Sequence, residues 1–183
     1  GDLQTHQIST WVTQRTGAQT YTDVSPSSSR VGRNYPGSSN PCLDATLQPL
    51  TSNKTALKAA IDDYEVEGST AGQIGIGWGW YMVSPNFNSL WPSNGAAAYN
   101  TADTLKAVII MTDGEFNTPY CAGVISRDAG AGSGSNYQKI DCGADNGNPF
   151  DQGRAMCTAM KARGILVYTV GFQITAGGDA ANM

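Results

Sequence analysis

Asp113 follows the apolar run Lys106-Ala107-Val108-Ile109-Ile110-Met111-Thr112 and precedes Gly114. A carboxylate at the carboxyl end of a buried strand lies where open α/β sheets bind their ligands. Aspartate is also a common turn residue, so position alone leaves both roles open. Thr70 sits in the loop Gly68-Ser69-Thr70-Ala71-Gly72, ahead of a glycine-rich segment. A hydroxyl there serves equally well as a helix cap or as a ligand. Taken together, a loop hydroxyl and a strand-end carboxylate are hard oxygen donors suited to Mg²⁺. Other chemistries have less to build on. His6 is the one histidine, which leaves Ser–His and Cys–His schemes little material. Cys42, Cys121, Cys142 and Cys157 form no CxxC pair, against a structural zinc site. A metal-dependent hydrolase built on Asp113 would want a second carboxylate nearby. Glu115 is close in sequence, whereas Asp62, Asp63, Glu65 and Glu67 read as a solvated helix face.

The elements that must position these residues follow from the pattern. Ser52 or Asn53 can cap a helix from about Lys54 to Tyr64, with Leu57, Ile61 and Tyr64 on one face. From Gly72 to Val83 the glycines leave helix and strand both open, and Ser84-Pro85 ends the segment. Residues 106–112 and 165–172 are continuous apolar runs of strand length, the mark of strands covered on both faces. Between them a helix from about Phe150 to Arg163 carries Ala155, Met156, Ala159 and Met160 as its apolar side, and Gly164 stops it. Strand, helix, strand is a right-handed βαβ unit. Turn residues crowd Thr20 to Pro49, predicting a long irregular excursion, and the stretches 84–104 and 117–149 also read as loops. The aromatic cluster Trp78, Trp80 and Tyr81 is expected to pack between elements, with at least one of the three near the surface, under the 84–104 loop.

The chain has 183 residues, 40% of them hydrophobic and 14% charged. That fits one domain of ordinary size or most of a larger one. Lys+Arg numbers 11 against 15 Asp+Glu, so no basic excess supports nucleic-acid binding. No apolar run is long enough to cross a bilayer. Low charge with abundant Gly, Ser, Thr and Asn reads as an exported composition, in which disulfides form. Cys121 and Cys142 bracket a Gly/Ser-rich loop and are the favoured pair, although spacing alone does not decide among the three pairings of four cysteines. Buried free thiols are the alternative.

KAVIIMTDGEFN at 106–117 resembles the fourth strand and metal loop of a von Willebrand factor A domain. GSTAG at 68–72 resembles that fold's threonine loop, and ILVYTVGF at 165–172 its next strand. More narrowly, PLTSNKTALKAAID, GSTAGQIGIGWGWYMVSP, MTDGEFNTPYC and AMKARGILVYTVGF are similar to the TadG-like proteins of the Tad/Flp pilus assembly system, over about residues 40–175. The resemblance implies a helix for WGWYM. It implies an α/β, Rossmann-type, mostly parallel sheet with flanking helices and long irregular loops. It also implies a metal-ion-dependent adhesion site in which Thr70 and Asp113 hold Mg²⁺, or Mn²⁺ or Ca²⁺, and a partner's acid completes the cation's shell. The function expected is a non-enzymatic binding or adhesion module of an exported pilus-assembly or cell-surface protein, periplasmic, surface-bound or extracellular. The alternatives are the hydrolase above and a structural subunit with a non-functional metal site.

One part of the family pattern is missing. The Asp-x-Ser-x-Ser segment should follow a strongly apolar strand. Asp23-Val24-Ser25-Pro26-Ser27 has the letters but is preceded by Gln19-Thr20-Tyr21-Thr22, so it is not expected to be a ligand loop. The resemblance therefore implies that residues 50–183 are the carboxyl-terminal part of the A-like domain. Residues 1–49 are then an amino-terminal segment or insertion. The sheet would be incomplete, completed by pilus subunits or another polypeptide as partners, or by a preceding segment that has been removed.

Overall fold

The computed structural model describes residues 12–31, 45–65, 70–113, 116, 146–174 and 176–182. Within them the chain is a mixed α/β structure: helix α1 (Lys54–Asp62), helix α2 (Gly72–Val83), strand β1 (Ala107–Thr112), helix α3 (Pro149–Ala162) and strand β2 (Leu166–Gly171). A 3-10 segment, Pro85–Leu90, follows α2 directly.

β1 and β2 pair in parallel, Ala107 opposite Leu166 through Thr112 opposite Gly171. α3 is the crossover between them, as the apolar runs and the intervening helix predict. Its ends are set locally. The Asn148 side chain accepts from the amides of Phe150 and Asp151, and Pro149 takes the first turn, where its missing N–H costs nothing. At the other end Gly164 adopts φ +77°, and the Ile165 amide reaches back to the Met160 carbonyl. α1 starts in the same way, with Asn53 Oδ1 accepting from the Ala56 amide at 3.1 Å.

α2 is a helix despite its glycines, which let it pack closely on its neighbours. A Cβ at Gly77 would lie 3.2 Å from the Met156 sulfur, and one at Gly79 would touch Val108. The core lies between α2, α3 and one face of the sheet. Ile76, Trp80, Ile110, Phe116, Phe150, Met156, Cys157, Met160 and Ile165 form it. Burial raises the pKa of the Cys157 thiol. Trp80 and Tyr81 are buried as expected, and Trp78 is the half-exposed member. Its indole N–H donates to the Thr13 carbonyl at 2.7 Å, so residues 12–31, rather than the 84–104 loop, lie over it.

Two expectations fail. Among the described residues the strands are covered on one face only. Val108, Ile110 and Val167 meet the helices, whereas Ile109 and Met111 are 64% and 63% exposed and Tyr168 54%. An apolar run reports that both faces are oily but not that a second layer is present. Likewise α1 ends at Asp62, short of the expected Tyr64, and buries no residue, and Ile61 and Tyr64 stand in solvent.

Candidate functional site

The carboxyl edge of the sheet is where the chain gathers its helix starts. Phe116, three residues beyond Asp113, lies against Gly72, the first residue of α2. A Cβ there would fall 2.0 Å from the Phe116 ring. The same ring stacks on Phe150 in the first turn of α3, centroids 4.6 Å apart. The end of β1 and the amino termini of α2 and α3 are thus pinned together by two phenylalanines, and both helices begin at this edge.

Asp113 follows β1 directly and is exposed, and Thr70, also exposed, lies two residues before α2. The cap position of α2 is held by Ala71, without a side-chain hydrogen bond. Both are oxygen donors on one edge and open to water. Oxygen donors of this kind are those a small hard cation takes. Asp151 is on the same edge, in the first turn of α3, and pairs with Arg154. Among the described residues no group of three or more His, Cys, Asp or Glu is placed to hold a metal. Glu115, Cys42, Cys121 and Cys142 lie outside the described residues.

No protein-family model, curated protein or solved structure matches this chain.

The opposite, amino edge holds a polar assembly that sequence reasoning missed. Asp23 is fully buried. Its Oδ2 accepts from Ser84 Oγ at 2.6 Å, Tyr99 Oη at 2.6 Å and Asn86 Nδ2 at 3.0 Å. Oδ1 faces the Arg163 guanidinium at 3.5 Å, just beyond the end of α3. Ser84 closes α2, and Lys106, at the foot of β1, donates to the Val83 and Ala97 carbonyls. The first acid of Asp-Val-Ser-Pro-Ser is therefore committed to the end of the sheet away from Asp113. Burial, and then the hydrogen bond to Asp23, push the Tyr99 pKa up to about 12.

Beside this assembly Arg15, also buried, donates to the Thr22, Val24 and Ser29 carbonyls. Its guanidinium lies 5.4 and 5.2 Å from the ring centroids of Tyr81 and Phe87, which stack 4.0 Å apart. No local pattern marks Asp23 in the sequence, because it finds its hydrogen-bond partners 61 to 76 residues away. A hollow of about 320 Å³ beside α1 is lined by Ala45, Thr46, Gln48, Ala60, Asp63, Tyr64 and Glu65. Neither Thr70 nor Asp113 borders it.

Proposed function

We propose that this chain is a non-enzymatic, cation-dependent binding module. In this reading it is part of an exported, TadG-like pilus-assembly or cell-surface protein with a von Willebrand factor A-like fold. The observation that carries the reading is the common edge: an exposed carboxylate and an exposed hydroxyl, Asp113 and Thr70, at the carboxyl end of a parallel strand pair beside two helix amino termini. The βαβ unit and the motifs MTDGEFNT and GSTAG give it further support.

Asp113 would supply the charge that holds Mg²⁺ or Mn²⁺, and Thr70 a neutral oxygen. The cation's role would be electrostatic, an open coordination position for a carboxylate of a protein partner. Isothermal titration calorimetry with Mg²⁺ and Mn²⁺ tests the reading. Binding is expected in the parent protein, lost in Asp113→Ala with the circular dichroism unchanged. Thr70→Val should weaken it less, since a hydroxyl contributes no net charge. An Asp113→Ala protein that binds Mg²⁺ like the parent would remove the site.

A further inference from the structure

We infer that the uncovered face of the two-stranded sheet is a dimerisation surface whose occupant is the same face of a second copy of this chain. The register sets Ile109 beside Tyr168 and Met111 beside Val170, so these four side chains share one face with Leu166. All five are exposed, as are Leu105 and Phe172 at its two ends.

Exposed area of these seven side chains amounts to roughly 700 Å², above the few hundred that the largest apolar patch of a monomer usually shows. It is also close to the about 800 Å² per partner of a standard stable interface. The patch is self-complementary in kind. Residues 107–112 and 166–171 include no charged side chain, and Lys106 is turned away to the carbonyls of Val83 and Ala97. A surface without polar address discriminates poorly between foreign partners, and two copies related by a two-fold axis bury it completely. Two twisted sheets stacked face to face then form a four-layer arrangement, helices outside and strands within. Met111 and Phe172 bring the surface up to the Asp113 end of β1, but the inference does not depend on the cation reading.

Sedimentation equilibrium of the full chain from about 1 to 100 µM, with Mg²⁺ and with EDTA, is the test. A monomer–dimer equilibrium in both buffers is expected. The double variant Met111→Lys/Tyr168→Asp should shift it at least tenfold towards monomer while far-ultraviolet circular dichroism stays the same, because neither side chain packs in the core. Leu57→Ser/Ile61→Ser on α1 serves as the control and should leave the equilibrium unchanged. A chain that is monomeric throughout overturns the inference, whether the face is then bare or covered by its own α1. So does a dimer that EDTA dissolves, one the double variant leaves intact, or an open-ended series of larger species that points to pairing along the strand edges.

Discussion

Tyr99 is where burial and hydrogen bonding act on a single titrating group. Its hydroxyl donates to Asp23 and accepts from the Trp80 indole N–H at 3.1 Å. Folding holds the phenol neutral up to about pH 12, while in the unfolded chain it ionises near 10. Above pH 10 the unfolded state has therefore lost a proton that the folded state keeps. The stabilisation is present in full below pH 10 and is lost as pH rises towards about 12. Burial also raises Tyr21 and Tyr81, in the latter against the lowering pull of Arg15, so the whole protein should weaken in this range. Comparing the parent with Tyr99→Phe isolates one group. At pH 7 the variant should be less stable by about 2 kcal/mol, the worth of a hydrogen bond to a charged acceptor. Urea titrations between pH 9 and 12 should show that gap closing as pH rises. A gap independent of pH would mean that Tyr99 ionises alike in both states.

At the scale of elements, what decides the effect of a substitution is whether the element has a layer to pack against. Gly72 has no space beyond its backbone, because Phe116 fills it and is itself held against Phe150. Gly72→Ala should cost about 1–3 kcal/mol by overpacking. Ile61→Ser on α1 should change stability by no more than about 0.5 kcal/mol, since the side chain is already in water. Chemical denaturation of the two variants checks the contrast; equal costs would show that α1 is packed in solution. The same distinction explains what was legible in the sequence. Asn53, Asn148 and Gly164 act on amides and carbonyls within a turn of themselves, so the helix ends can be read locally. The parallel strand pair is legible because two apolar runs flank a helix that stops at a glycine. Whether Ile61, Ile109 or Tyr168 is covered depends on what arrives from elsewhere, and hydrophobicity alone does not contain that. The helix of Gly72–Val83 is undecided by its own residues, and the resemblance supplies what the glycines obscure.

For the whole molecule, residues 12–31 matter more than their irregular backbone suggests. They bring Arg15 to the stacked rings of Tyr81 and Phe87, Asp23 to the amino edge, and Tyr21 to the Asn146 carbonyl at 3.3 Å. A polypeptide of residues 45–183 leaves Ser84, Asn86 and Tyr99 without their common acceptor and uncovers Trp78. It is expected to melt without a cooperative transition, by circular dichroism and by calorimetry, whereas the full chain melts sharply. A sharp transition in the shortened polypeptide would show that the segment is dispensable. The same long-distance bonds carry a consequence for the speed with which the structure forms. Strand partners are 59 residues apart (166 − 107), and Asn146 donates to the Arg15 carbonyl across 131 residues. Closing loops of that length costs entropy before any contact repays it. The chain must therefore search for its non-local pairings, and its rate of folding belongs with the slow, high-contact-order domains of the millisecond-to-second range rather than with helical bundles.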